Sequence, residues 1–260
     1  MASSLLYVYR DLGWSGSSTM TDVDLAAAIA VGAGRILVAA RHDALLTGRR
    51  LGDLGDSLAQ DWIAGVLAAH RPKDAVLSEE ATDSRARLDA QRVWIIDPLD
   101  GTREYAAGTA DWAVHVALTV NGQPTDCAVS LPERGEVFRT DTVDTPAHAA
   151  GALVMSRFGG SYESMWVAAR LGLRAIVMGS AGAKAMAVVR GDADAYIHGS
   201  GQYEWDNCAP VGVARAAGLH CSRLDGSPLR YNRPSPYMSD FLICRPELAE
   251  PILRSLAEIV

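Results

Sequence analysis

The chain has 260 residues, is 49% hydrophobic and 21% charged, and sets 24 Lys and Arg against 31 Asp and Glu, for a formal net charge of -7. That length gives one large domain or two small ones around a shared cleft, with enough apolar residues for a core without disulfide staples. The acidic balance argues against a nucleic-acid polymer as partner, because a phosphate backbone is bound by clustered Lys and Arg that displace counterions.

Residues 1–19 carry no clear period and read as a tag, an upstream start or a mobile arm before Met20. Thr21, Asp22 and Asp24 look like a helix cap. Leu25, Ala28, Ile29, Gly32, Ile36, Leu37 and Ala40 then fall at helical spacing, which predicts one helix over 22–45. Its apolar core, 25–34, is ten residues long and closed by Arg35, short of the ~20 that cross a bilayer. With no basic n-region before it, a cytoplasmic chain with no membrane contact is expected. Gly32-Ala33-Gly34 lies inside the helical period, lacks a third glycine and reads as packing rather than a dinucleotide loop. A second helix is predicted from about Ser57 to His70, stopped by Arg71-Pro72.

The period then changes. Ala75 to Leu77 and Val93 to Ile96 are short apolar runs that end in acids, as buried strands do when they deliver carboxylates. Trp112 to Val120 and Asp126 to Leu131 read as further strands around an Asn121-Gly122 hairpin. Residues 140–151 turn to Asp, Thr, Pro and His and mark a junction, dividing the chain into parts 20–150 and 151–260. Beyond it, 152–156, 176–179 and 195–197 read as strands, and 162–171, 183–190 and 206–217 as helices, the last closed by Gly218. Cys127, Cys208, Cys221 and Cys244 are unpaired in spacing and read as reduced structural thiols. His115, between Val114 and Val116, reads as a structural side chain.

The chemistry concentrates at Asp97-Pro98-Leu99-Asp100-Gly101-Thr102. Two carboxylates three residues apart follow a buried strand. Pro98 stiffens the turn, the Leu99 carbonyl is free to act as a hard oxygen ligand, and the Gly101 and Thr102 amides point where an anion would sit. Collected with Glu79, at the end of the preceding strand, and Asp206, before a helix, these groups make an oxygen-only cage that needs divalent cations to be tolerated. With no His or Cys in the set, Mg²⁺ or Mn²⁺ is favoured over Zn²⁺.

Asp56, Glu79-Glu80, Asp97 to Thr102 and Trp205-Asp206, in that order, resemble the signature of the lithium-sensitive, Mg²⁺-dependent phosphatases of the inositol monophosphatase superfamily. The likeness runs from about Thr21 to the C-terminus. It implies an α+β fold, the layered αβαβα sandwich of the sugar phosphatases, commonly homodimeric. It also implies two or three Mg²⁺ per site, with Mn²⁺ as substitute. Glu79, Asp97 and the Leu99 carbonyl would hold the first ion, and Asp97, Asp100 and Asp206 the second. Thr102 and an early Asp would position the attacking water. Asp56 lies 23 residues before Glu79, the family spacing, and is chosen as directly preceding the second helix; Asp53 and Asp61 are the alternatives.

Arg103-Glu104-Tyr105 after Gly101-Thr102 is similar to the CysQ-type 3'(2'),5'-bisphosphate nucleotidases, as are the stretches 179–186 and 194–198. The substrate implied is 3'-phosphoadenosine 5'-phosphate, a by-product of sulfate activation, hydrolysed to AMP and phosphate. Leu99, Asp100, Gly101, Thr102, Ser156, Arg157, Ser180, Lys184, His198 and Asp206 would bind it. A Lys at 184 and a His at 198 suit a substrate with a second phosphate, which a carboxylate would repel. An inositol phosphatase or fructose-1,6-bisphosphatase is the alternative within the class, and a silent nucleotide- or metal-binding protein the alternative outside it.

Overall fold

Five layers stack in the computed structural model, which describes residues 20–43, 45–157 and 162–259. The outermost layer begins with α1 (Asp22–His42), where the Thr21 hydroxyl accepts a hydrogen bond from the Asp24 amide at 3.2 Å. α2 (Arg49–His70) packs beside it. α1 is long and apolar enough to cross a membrane, but more than half of its apolar stretch is buried in the protein. Gly32 presses against the Trp62 ring and Gly34 against Pro132, so both glycines serve packing.

Under these helices lies a sheet of β1 (Ala75–Ser78), β2 (Arg92–Asp100), β3 (Ala113–Val120), β4 (Gln123–Leu131) and β5 (Glu136–Arg139), hydrogen-bonded in that order. β1 runs parallel to β2 and the other pairs are antiparallel. Alternation along β2 divides its side chains: Trp94 and Ile96 join the core under α1 and α2, while Val93 and Ile95 face the middle of the molecule. Short α3 (Thr102–Ala106) follows β2.

The second sheet holds β10 (His220–Ser222), β12 (Phe241–Cys244), β8 (Ala195–His198), β6 (Ala152–Ser156) and β7 (Arg174–Met178), in that spatial order. α5 (Ala181–Arg190) and α6 (Glu204–Ala216) fill the layer between the sheets, and their apolar faces share one core with both. Each fully buried Val, Leu, Ile or Met side chain there contributes ~1.5–3 kcal/mol over an exposed one. α4 (Tyr162–Leu171) and α7 (Pro246–Ala257) close the far side over Leu153, Ile197 and Leu242. The order is helix, sheet, helix, sheet, helix, the expected α+β sandwich. A ribbon of β9 (Gln202–Tyr203) and β11 (Tyr237–Met238) stands outside both sheets.

Several boundaries differ from expectation. α1 ends at His42, short of 45. α2 starts at Arg49, eight residues before Ser57, so Asp56 lies inside the helix rather than ahead of it. The cause is steric. Gly52 and Gly55 look like loop residues, but a Cβ on Gly52 would stand 2.6 Å from Thr102 Cγ2, and one on Gly55 3.0 Å from Leu99 and Tyr105. The glycines let α2 run tightly over α3 and the end of β2. α6 likewise starts at Glu204, two residues before Asp206. β2 continues through Asp100 instead of ending at Ile96. The arm at 1–19 lies outside the described residues.

Candidate active site

The end of β2 explains how two acids three residues apart reach one cleft. Asp97 pairs with His115 and Asp100 with Ala113, so Pro98 and Leu99 together oppose the single residue Val114. This is a bulge: the extra residue resets the alternation, and Asp97, Asp100 and His115 all point to the middle layer. The Leu99 amide donates to Asp97 Oδ1 at 3.1 Å and tightens it. Asp97 is 1% exposed and Asp100 7%.

Asp206 joins them from the first turn of α6, where its carboxylate accepts the Tyr203 amide at 2.7 Å. Carboxylate oxygens of Asp97, Asp100 and Asp206 lie within 4.8 Å of one another. Glu79 follows β1, and its amide donates to the Ile96 carbonyl at 3.2 Å, which keeps it next to Asp97 in the chain register. Asp56 comes from α2, and its Oδ1 is buried without a hydrogen-bond partner. Asp53 is exposed and 3.8 Å from Arg49, and Asp61 is exposed, so of the three early candidates Asp56 is the one turned inward. The Thr102 hydroxyl donates to the Leu99 carbonyl at 3.2 Å and also interacts with Asp56.

Crowded acids resist ionisation. Burial, then Glu80 and Asp53, pushes the Asp56 carboxyl up to about 7. Glu79 opens onto solvent by area yet is walled by protein elsewhere. That desolvation, followed by repulsion from Asp206 and Asp56, takes it to about 8. Burial and then Asp100 move Asp206 to about 6. Asp97 is raised well above the ordinary range by burial and by Glu79.

Asp100 goes the other way. Burial opposes its charge, but His115, Ser180 and Lys184 outweigh that and hold the carboxyl below the usual range. Ser180 caps α5 with a positive φ of 56°. Its hydroxyl donates to Asp100 Oδ2, and the Ala181 and Gly182 amides donate to the same carboxylate at 3.1 and 2.7 Å. The N-terminus of α5 thus grips Asp100. Behind it, Lys184 is 4% exposed, donates to the Ser180 carbonyl at 2.6 Å and lies 5.3 Å from the Tyr196 ring centroid.

His115 is fully buried, as a structural side chain would be, but it also touches the site. Its Nε2 is 3.3 Å from Asp100, its Nδ1 3.8 Å from Asp97 and 3.1 Å from the Trp205 carbonyl. The only sequence signal for this was parity, since alternation along β3 puts His115 on the same face as Ala113 and Ala117. Gly182 makes room for it: a Cβ there would collide with Nε2.

The remaining predicted residues make contacts of their own on neighbouring elements. Gly101, φ 85°, brings the end of β2 close to Ser180, leaving a Cβ only 3.1 Å from that side chain. Arg157 reaches Asp111 at 3.0 Å, and Ser156 ends β6 beside it. His198 closes β8, contacts the Gly201 carbonyl at 3.1 Å and stacks on Phe241 at 5.7 Å; burial lowers its basicity. A groove of about 520 Å³ between α1 and the β4–β5 connection holds none of these acids.

The donor set suits a hard divalent cation. It offers oxygens alone, crowds buried carboxyls together, and leaves Asp56 Oδ1 without a hydrogen-bond partner.

Known proteins resemble this chain over most of its length. Residues 18–260 match the family model described as the inositol monophosphatase family. A 3'-phosphoadenosine 5'-phosphate phosphatase of Mycobacterium leprae is 49% identical over 257 residues, covering 92% of this chain and 95% of its own. One from Mycobacterium tuberculosis is 52% identical over 220 residues, 80% of this chain and 82% of its own. The crystal structure of CysQ from Bacteroides thetaiotaomicron superposes with a TM-score of 0.76 at 24% identity, over 87% of this chain and 97% of that one.

Proposed function

Because the chain belongs to the inositol monophosphatase family, whose members are metal-dependent, we propose that it is a Mg²⁺-dependent phosphatase converting 3'-phosphoadenosine 5'-phosphate to AMP and phosphate. The observation that carries the reading is the pairing of the acid cage with about half-identical relatives bearing that activity in their names.

Glu79, Asp97, Asp100, Asp206 and the Leu99 carbonyl would hold the metal, with Mn²⁺ an expected substitute. Bound there, Mg²⁺ would neutralise the carboxylates, acidify a water and stabilise the leaving ester oxygen. The protein supplies the geometry. Asp56 Oδ1 and the Thr102 hydroxyl orient the attacking water from one side. Gly101 and Thr102 present their amides to the phosphoryl oxygens, where negative charge grows in the transition state. The water oxygen bonds to phosphorus and gives up a proton, the bond from phosphorus to the 3'-oxygen breaks, and the 3'-oxygen takes up a proton, so that one water is added overall. Ser156, Arg157, Ser180 and His198 form the wall for the rest of the substrate, and Lys184 adds positive charge from behind it.

The test is phosphate release from equal concentrations of 3'-phosphoadenosine 5'-phosphate, inositol 1-phosphate and fructose 1,6-bisphosphate, each with Mg²⁺ and with EDTA. The nucleotide should lead by tenfold or more in kcat/KM, ~1.4 kcal/mol of transition-state binding, and EDTA should abolish turnover. A lead for either sugar phosphate would overturn the substrate assignment.

A further inference from the structure

Next to the metal-ligand candidate Asp206 the protein displays aromatic surface that its core does not need. In the ribbon of β9 and β11, Tyr203 and Tyr237 stand directly opposite one another. They are 46% and 48% exposed. Burying large aromatic rings is worth more than leaving them in water, so two half-exposed tyrosines side by side call for an explanation.

Their placement supplies one. Tyr203 is the residue whose amide holds the Asp206 carboxylate. Its ring lies flat against Trp205, centroids 4.7 Å apart and planes 9° from parallel, and meets the Tyr237 ring edge-on at 5.9 Å. The Tyr237 hydroxyl lies over Gly201, where any Cβ would strike it, and the Gly201 carbonyl contacts His198. A continuous rim therefore runs from Asp206 through the two tyrosines to His198.

The rim is also fixed in advance. Glu204, fully buried, accepts the Asn232 and Arg233 amides at 2.7 and 2.9 Å, and its own amide donates to the Pro236 carbonyl at 2.8 Å. The loop that delivers Tyr237 is thus tied to the helix start that delivers Asp206. A surface ordered before binding loses little entropy when a flat ligand settles on it.

We infer that Tyr203 and Tyr237 form the docking surface for the heteroaromatic base of a nucleotide whose ester phosphate sits in the acid cage. The inference rests on the nucleotidase reading above and adds the residues that tell a nucleotide from a base-free phosphate ester. Aromatic rings take a base by stacking and edge contact, without a hydrogen-bond code.

The experiment measures kcat/KM for 3'-phosphoadenosine 5'-phosphate and for ribose 3,5-bisphosphate, which lacks the base, in the intact enzyme with Mg²⁺. Tyr203→Leu, Tyr237→Leu, the double variant and both Phe variants are compared with the unmodified protein. The ratio of the two values should fall about tenfold in each Leu variant and further in the double, mostly through KM for the nucleotide, while Phe, which keeps the ring, restores it. A ratio that the Leu variants leave intact, or a loss shared equally by both substrates, overturns the inference and leaves the nucleotidase reading standing. An unmodified enzyme that does not hydrolyse the nucleotide overturns that reading, and the inference with it.

Discussion

Asp97 and Asp100 leave the same bulge of β2 and face the same cleft, but their surroundings drive them in opposite directions. Around Asp97 burial combines with Glu79, Asp100, Asp206 and Asp56, and its carboxyl is pushed well up. Around Asp100 burial is overcome by His115, the Ser180 hydroxyl and Lys184, with the amides of α5 closing on its oxygens. One side of the cleft carries its own positive partners. The other is a cluster of acids whose charge the protein does not balance. This asymmetry leaves the unbalanced crowding around Asp97, Glu79 and Asp56, and makes the α5 side a bracket of hydrogen bonds that holds Asp100.

The bracket can be broken without replacing a proposed ligand. Gly182→Ala places a methyl against His115 Nε2 and 2.9 Å from the Ala113 Cβ. Either His115 or the start of α5 must then shift. Overpacking of this kind costs ~1–3 kcal/mol, and displacing a group that orients metal ligands costs ~10–100-fold in metal affinity or activity. The variant should therefore unfold several degrees lower and need more Mg²⁺ for half-maximal turnover. An unchanged Mg²⁺ requirement would show that the bracket does not aim Asp100.

The acid side is sharpened by pH. Asp56 and Glu79 reach about 7 and about 8 in the metal-free fold, against ordinary values near 4 in an unfolded chain. Between pH ~4 and ~8 the folded state therefore holds more protons than the unfolded one, and stability falls as pH rises. Thermal unfolding in EDTA should show Tm declining from pH 5 to 8, and Mg²⁺ should flatten the decline by taking the place of the protons. A metal-free Tm that is level or rises across this range would contradict the crowding described for these carboxyls.

Much of this was legible in the sequence because the decisive signals are local. The strand ending in Asp97 to Thr102, the hairpin at Asn121-Gly122 and the alternating helices and strands after residue 151 all show within windows of about ten residues. What was hidden depends on contacts distant in sequence. Gly52 and Gly55 lie ahead of the expected helix start at Ser57, and their place in α2 shows only once Thr102, Leu99 and Tyr105 are seen against them. His115 reads as core because its meaning comes from the bulge opposite and from Trp205, 90 residues away. The hold of α5 on Asp100 spans about 80 residues. β9, β10, β11 and β12, two to four residues each, are too short to show a period. The ribbon bearing Tyr203 and Tyr237 therefore appears only in the fold.

Asp97→Asn tests the central claim most directly, because Asp97 is the acid that the others crowd. Its carboxyl is held toward the neutral form without metal, and the amide mimics that form in size. The EDTA-treated variant should unfold at or above the temperature of the EDTA-treated parent. It should release no phosphate from 3'-phosphoadenosine 5'-phosphate at any Mg²⁺ concentration. A folded Asp97→Asn protein that turns over at a near-parental rate would contradict the assignment of this cage as the metal-holding catalytic centre.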